Sequence, residues 1–136
     1  MSVTIPEKFN DLIEGFQYIW FTTVRADGMP QPTPVWFVRD GDTFLIYTTD
    51  GAQKAKNIAA NSKVALGLAN DDAGDYFVVQ GEALIDQTIP PPTQMSLYFT
   101  KYKDSITEIG MTPDSFDQTF TVPIRITPIL VRGDIE

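Results

Sequence analysis

The chain has 136 residues, enough for one domain with a substantial core but too few for two. Its 18 acidic and 10 basic residues give a net charge of −8, which disfavours nucleic acids and anionic membranes as partners. The sequence contains no cysteine and no histidine. This excludes disulfides, zinc–thiolate sites, Ser-His-Asp and Cys-His catalysis, and histidine-ligated metals or haem. If the protein is an enzyme, its chemistry is therefore expected to come from a bound cofactor.

The sequence carries no signal for membrane insertion or secretion. No apolar run approaches the roughly 20 residues that a helix needs to cross a bilayer. A signal peptide's basic start and apolar core are both missing from the first residues, MSVTIPEKFNDLIEGF. We therefore expect a soluble cytoplasmic protein with a single domain over residues 1–136.

The first half of the chain predicts a helix and then a strand meander. Apolar residues recur at helical spacing over Pro6–Phe16, which predicts an amphipathic helix. Three β-branched and aromatic runs predict strands at Tyr18–Val24, Thr33–Val38 and Thr43–Thr49. Asp-Gly dipeptides separate these runs and suit tight turns. The alanine-rich segment Ala52–Asn61 is helical by propensity.

The second half predicts further strands with helices between them. Strands are expected at Lys63–Ala69 and Tyr76–Ile85, and Gly81 inside the second indicates a bulge or a close backbone approach. The remaining predicted elements are a helix over Thr93–Ile109, a short helix from an N-cap at Thr112 to Gln118, and a strand over Phe120–Val131, broken or bulged at Pro123 and Pro128. Strands dominate without βαβ alternation. The fold class is therefore predicted as mainly β, a small antiparallel barrel with peripheral helices.

A phosphate site is one interpretation of the segment that follows the third strand. Thr48 and Thr49 end that strand, and the free N–H groups of the next helix favour an anion. Lys54 and Asn57 are three residues apart and share a helical face. Lys56 lies about 200° around the helix from Lys54, so both reach one phosphate only if the first turn is distorted or the ligand is long. Solvated surface lysines are the alternative.

A wall for a planar ring is the interpretation of the strand before it. Prolines at alternate positions lack N–H donors and suit an edge strand whose backbone faces a ligand. Pro34, Val35 and Trp36 could supply an apolar wall and backbone polar groups for a heterocycle. The alternative is that Trp36 belongs to the core.

The charged residues outside this segment have ordinary explanations. Arg25 and Arg39 could meet an anion, but pairing with Asp27 or Asp40 at the surface is the expectation for each. No pair of carboxylates has a spacing typical of acid–base catalysis. The acidic turn Asn70–Asp75 lacks the ligand spacing of an EF-hand. No catalytic side chain and no metal site are therefore predicted.

With these residues in view, the chain resembles the pyridoxamine 5′-phosphate oxidase-like split-barrel proteins that bind flavin or deazaflavin. The resemblance covers most of the chain and is closest to the subgroup that uses deazaflavin coenzyme F-420, although most of the family uses FMN. The residues that carry it are, in chain order, Trp20–Arg25 with Asp27-Gly28 and Pro30, Pro34–Phe37, Lys54–Ile58 with Asn61 and Val64, Gln80–Ala83, Lys101-Tyr102, and Val122–Ile126.

This resemblance implies a six-stranded antiparallel split β-barrel of the FMN-binding type. It implies a homodimer with two cofactor sites at the interface. In each site the phosphate would be held by Thr48, Thr49, Lys54 and Lys56, and the ring would be lined by Pro34, Val35 and Trp36. Gln80 would approach the ring from the same or the second subunit.

The implied function is that of an oxidoreductase. Hydride would pass between FMN, or alternatively coenzyme F-420, and an unidentified small substrate. A non-catalytic flavin-binding or reservoir protein, and a structural dimer whose site has decayed, are the alternatives. The C-terminal residues Val131–Glu136 lack the Arg- and His-containing segment with which the pyridoxal phosphate-forming oxidase binds its substrate, so pyridoxamine phosphate is not the expected substrate. Lys56 stands where relatives often carry Arg, which would lose bidentate phosphate recognition.

Overall fold

The computed structural model describes residues 3–136, which form seven β-strands and four α-helices. The strands are β1 (Tyr18–Val24), β2 (Pro30–Trp36), β3 (Val38–Asp40), β4 (Thr43–Thr48), β5 (Lys63–Ala69), β6 (Tyr76–Ile85) and β7 (Val122–Asp134). The helices are α1 (Asn10–Glu14), α2 (Gln53–Ala60), α3 (Ser96–Glu108) and α4 (Pro113–Thr119). Short 3₁₀ turns at Glu7–Phe9 and Pro92–Gln94 precede α1 and α3. Within residues 3–136 no helix is long and apolar enough to cross a membrane.

The strands form one curled sheet in the order β2-β1-β5-β6-β7-β4-β3, with every neighbouring pair antiparallel. Alternate residues of the strands point into the curl, as the period of two requires. Phe21, Phe44 and Phe77 are fully buried there. Phe9 and Ile58 join the same core from the N-terminal segment and α2. The predicted fold class, a mainly β split barrel with peripheral helices, is confirmed.

The outside of the sheet is covered on one half only. Over β3 and β4, a second apolar cluster contains Leu45 and Tyr47 together with Tyr98, Tyr102 and Phe116 from α3 and α4. Within residues 3–136 this second cluster contains no residue of β1, β5, β6 or β7, and the buried side chains Ile13 of α1 and Ile58 of α2 belong to the inner core instead. Four large side chains on the outer surface of these four strands, here called the open face, are between 38% and 48% exposed: Tyr18, Trp20, Tyr76 and Leu130.

Several local predictions are confirmed in the second half of the chain. Thr112 caps α4 by accepting from the Ser115 N–H, and Ser115 caps in return. A Cβ on Gly81 would lie 2.5 Å from the Thr127 carbonyl oxygen, and the strand register shifts between Gln80 and Gly81. The last strand is longer than predicted, because its pairing with β6 continues to Asp134.

The prediction of six strands is wrong by one, because the expected strand Thr33–Val38 is split at Phe37. β2 pairs with β1, and β3 pairs with β4, so these two strands are the opposite edges of the sheet. A single residue joins the two edges, so the sheet has to curl until they meet.

Side chains of α3 satisfy the backbone of Phe37 at this junction. The Phe37 N–H donates to the Tyr102 hydroxyl oxygen at 2.7 Å. The Phe37 carbonyl oxygen lies 2.8 Å from the Lys101 ammonium and 2.8 Å from the same hydroxyl. The Tyr102 hydroxyl also lies 2.7 Å from the Gln17 carbonyl oxygen. The buried backbone N–H and carbonyl of Phe37, which have no strand partner, thus both form hydrogen bonds.

We expect Tyr102→Phe to lower the free energy of unfolding by about 1–3 kcal/mol, because the buried Phe37 N–H loses its acceptor. Urea unfolding at a fixed protein concentration measures the change. The control is Thr107→Val, which removes an exposed hydroxyl from the same helix and whose loss should be below about 0.5 kcal/mol. Equal stability of the two variants would contradict a structural role for the Tyr102 hydroxyl.

Candidate functional site

The link from β4 to α2 leaves the first turn of a helix uncapped. Gly51 takes a φ of +77°, a conformation that suits glycine, and turns the chain after Thr49. Ala52 is the N-cap of α2 and has no side-chain oxygen, so no side chain caps the helix. The Ala55 N–H donates to the Ala52 carbonyl oxygen at 3.1 Å, whereas the Gln53 and Lys54 N–H groups have no acceptor within residues 3–136 and remain available to a ligand. An anion placed there would also gain from the helix dipole.

A polar pocket of about 430 Å³ lies between this first turn and the β1–β2 hairpin. Its walls combine the end of β1, the proline-containing start of β2 and the first turn of α2. The lining residues are Thr23, Arg25, Met29, Pro30, Gln31, Pro32, Thr33, Gln53 and Lys54.

Lys54 is the cation of this pocket that has no carboxylate partner in the described part of the chain. It is half-buried, and burial holds its pKa below the usual 10.5. Within residues 3–136 it forms no salt bridge. Arg25 is paired with Asp27, as predicted, and is largely exposed. A partly desolvated ammonium without a counter-ion favours binding of an anion.

The pairing of the other arginines differs from the prediction. Arg39 lies 3.7 Å from Asp42. Asp40 instead pairs with Arg125 at 3.0 Å. The expectation of an Arg39–Asp40 pair is therefore wrong, because β7 brings Arg125 beside β4 and the turn before it.

Asn57 is a buried residue that connects α2 to the two strands of the pocket. Its amide nitrogen donates to the Thr23 hydroxyl and to the Gln31 side-chain oxygen, each at 2.9 Å. Its side-chain oxygen accepts from the Gln53 amide at 2.9 Å. Asn57 is only 3% exposed, so its contribution is to fix α2 against β1 and β2. The candidate residue Asn57 thus lies at the site without lining it.

The other predicted phosphate residues are not all brought together. Lys56 is exposed and does not line the pocket. Thr48 is buried at the end of β4, and Thr49 is half-buried. Both lie on the segment that leads into α2 but outside the pocket lining. Lys54 is the predicted residue that the structure places in the wall.

The predicted ring residues point in different directions from β2. Pro34 is exposed on the outer side of the strand, opposite Trp20 of β1. Val35 packs against the inner core. The Trp36 ring stacks on Tyr102, with centroids 4.6 Å apart and planes 1° from parallel, and on Phe116 at 5.8 Å. Trp36 thus packs against the second apolar cluster, which agrees with the alternative that it belongs to a core.

Gln80 is exposed on the outer side of β6. The sheet order places three strand spacings between β6 and β2, which is about 14 Å. Gln80 therefore does not approach Pro34–Trp36 of its own chain.

Sequence reasoning missed Thr23, Gln31 and Gln53 as site residues. Thr23 and Gln31 are direct partners across the β1–β2 pair, and Gln53 precedes Lys54. The alternation of prolines with polar residues in β2 is the signal that could have found Gln31 and Thr33, because side chains alternate between the two sides of a strand.

Three solved structures have the same fold. An F420 reductase is 29% identical with a TM-score of 0.73, covering 94% of this chain and 98% of that chain. General Stress Protein 26 from Bacillus anthracis str. Sterne is 23% identical with a TM-score of 0.71, covering 93% and 91%. HutZ, the haem storage protein from Vibrio cholerae, is 14% identical with a TM-score of 0.70, covering 96% and 95%. The last two likenesses show the fold alone.

A comparison with curated proteins gives no match. Residues 5–115 match the family model described as pyridoxamine 5′-phosphate oxidase. That match spans well over half of the 136 residues and includes the Lys54 pocket, α2 and most of the sheet. The chain therefore belongs to the pyridoxamine 5′-phosphate oxidase family.

Proposed function

We propose that the protein is an oxidoreductase that binds FMN, or alternatively deazaflavin coenzyme F-420, and acts on a small substrate. The observation that carries the proposal is Lys54, a half-buried lysine without a carboxylate partner at a polar pocket beside an uncapped helix start. Family membership supports a flavin, and an F420 reductase at 29% identity supports the deazaflavin alternative.

Lys54 and the first-turn N–H groups of α2 would hold the cofactor phosphate. Both fit an anion, since one supplies charge and the other supplies donors without a cap. Thr48 and Thr49 lead into this turn, and Lys56 would approach from the exposed side of the helix. Asn57 would act through position, because it ties α2 to the two strands that form the pocket.

Pro34, Val35 and Trp36 would border the ring. β2 is an edge strand that pairs with β1 on one side, and its prolines stiffen it. The stacked rings of Tyr102 and Phe116 fix Trp36 in place. A bound flavin or deazaflavin supplies hydride transfer, and the protein's residues would bind it, orient it and exclude water.

We propose a homodimer in which the open face is the interface. Exposed aromatic side chains that neighbour one another favour association, since monomeric proteins rarely leave large apolar surfaces uncovered. Trp20 pairs with Pro34, so the open face borders the proposed ring site. Gln80 lies on the same outer surface, three strands from Pro34. In a dimer, Gln80 of a second copy could approach the ring that its own chain cannot reach.

A non-catalytic flavin-binding protein of the same fold is the second candidate. The observation that favours it is that, among residues 3–136, no carboxylic acid lines the Lys54 pocket. A protein that only stores a cofactor needs no acid or base beside it.

Lys54→Ala should raise the Kd for FMN or F-420 roughly tenfold to a hundredfold, because it removes a charge-assisted bond to phosphate. Quenching of cofactor fluorescence on titration measures Kd. Lys56→Ala, on the exposed side of the same helix, should have the smaller effect. Unchanged binding of both cofactors by Lys54→Ala would remove the proposed phosphate site.

Trp20→Glu should convert a dimer into a monomer, because it places a charge within the open face. Analytical ultracentrifugation gives the mass of each variant. Leu97→Glu is the matched control, since Leu97 is 47% exposed at the start of α3 and borders a surface that contains Phe37 and Val38 but none of the four open-face residues. A wild-type protein that sediments as one chain at micromolar concentration would contradict the proposed interface.

Reoxidation of the bound, reduced cofactor separates the two candidate functions. An oxidoreductase should speed electron transfer to at least one acceptor of a small-molecule panel, compared with free reduced cofactor at the same concentration. A storage protein should leave that rate unchanged or lower it. Absorbance of the cofactor ring follows the reaction, and Lys54→Ala at a concentration that leaves it unloaded is the control.

A further inference from the structure

A second pocket lies beside Phe37, where the chain passes from β2 to β3. It has a volume of about 420 Å³ and is bordered by α1, by Phe37 with the start of β3, and by α3. None of its lining residues lines the Lys54 pocket. Its size is within the roughly 300–1,000 Å³ of small-molecule sites.

The walls of this pocket are mainly apolar. Ile13, Phe37, Val38 and Leu97 line it, and Leu97 is 47% exposed at its rim. Surfaces of this kind accept a hydrocarbon chain or an aromatic ring rather than a sugar or a nucleotide.

Lys101 places a half-buried cation in the same wall. One of the three ammonium donors bonds to the Phe37 carbonyl oxygen at 2.8 Å, and the nitrogen lies 3.8 Å from the centroid of the Phe37 ring. Among residues 3–136 no carboxylate lies within salt-bridge distance of it. Burial lowers the pKa of Lys101 to about 8, although Glu14 acts in the opposite direction.

Two other charged residues line the pocket, and neither replaces the missing partner. Arg39 of β3 is bonded to Asn10 at 2.6 Å and to the Gly41 carbonyl at 2.8 Å. Glu14 of α1 is exposed. Arg39 is paired with Asp42 at 3.7 Å, so within residues 3–136 Lys101 is the lining cation that has no carboxylate at salt-bridge distance.

We infer that this pocket binds a small monocarboxylate with an apolar body. The carboxylate would accept from the free donors of Lys101, and the body would lie against Ile13, Val38 and Leu97. The ligand carboxylate would supply the counter-ion that the half-buried Lys101 ammonium lacks among residues 3–136. Glu14 disfavours a second negative charge, so dicarboxylates should bind more weakly.

Octanoate, with 1-octanol as the uncharged control, tests this site on the full chain. Calorimetry and backbone amide NMR shifts report affinity and location. Wild-type protein should bind octanoate about tenfold more tightly than 1-octanol, with shifts at Val38 and Thr100. The preference should shrink from about pH 7 to about pH 9.5, because Lys101 loses its proton. Equal affinity for the acid and the alcohol at pH 7 would overturn the inference.

Lys101→Met should weaken octanoate binding about tenfold and leave 1-octanol unchanged. Lys103→Met on the same helix, where the side chain is exposed, should stay within about twofold of wild type. Unaltered octanoate binding by folded Lys101→Met would overturn the inference.

Leu97→Glu is a second test that does not disturb the Phe37 junction. A charge at this exposed position is solvated, so the variant should fold, and the new charge at the rim should repel octanoate. Ile109→Glu, beyond the end of α3, should bind octanoate normally. Lys54→Ala should do the same, which separates this site from the cofactor site. Normal octanoate binding by Leu97→Glu would count against the pocket.

Discussion

The junction at Phe37 is the constraint on which the rest of the structure depends. Its peptide group lies where the chain passes from one edge of the sheet to the other, so no neighbouring strand can pair with it. Tyr102 and Lys101 of α3 supply the missing partners. The same contact fixes the curl of the sheet, the position of α3 over β3 and β4, and the stacking of Trp36 on the Tyr102 ring.

The basic side chains fall into two groups that differ in their pairing with carboxylates. The Arg25, Arg39 and Arg125 side chains each have an aspartate within 4 Å. Lys54 and Lys101 are half-buried, and among the described residues neither has one. In a chain with a net charge of −8, an anion gains the most binding free energy beside half-buried lysines of this kind. The two lysines lie in separate pockets, one beside the start of α2 and the other against α3.

Coverage of the sheet separates these pockets from the surface proposed for assembly. α3 and α4 pack over β3 and β4 and enclose an aromatic cluster there. The remaining strands keep exposed aromatic residues, among them Trp20 directly opposite Pro34. A fold that buries one half of its outer surface and exposes the other thus places the proposed ring site at the border between them. Pairing of two copies would enclose that border and exclude water from it.

The sequence by itself determined the mainly β fold class, most element positions, the Thr112 cap and the close backbone approach at Gly81. These depend on local periodicity, capping chemistry and the absence of a side chain, which are all legible within a few residues. It also placed Lys54 and Lys56 on different sides of one helix. Only the tertiary structure decided that the strand breaks at Phe37, because the residue that accepts its N–H follows 65 positions later. The pocket lining of Thr23 and Gln31, like the burial of Lys54, likewise depends on strand register and helix packing, which local patterns do not encode.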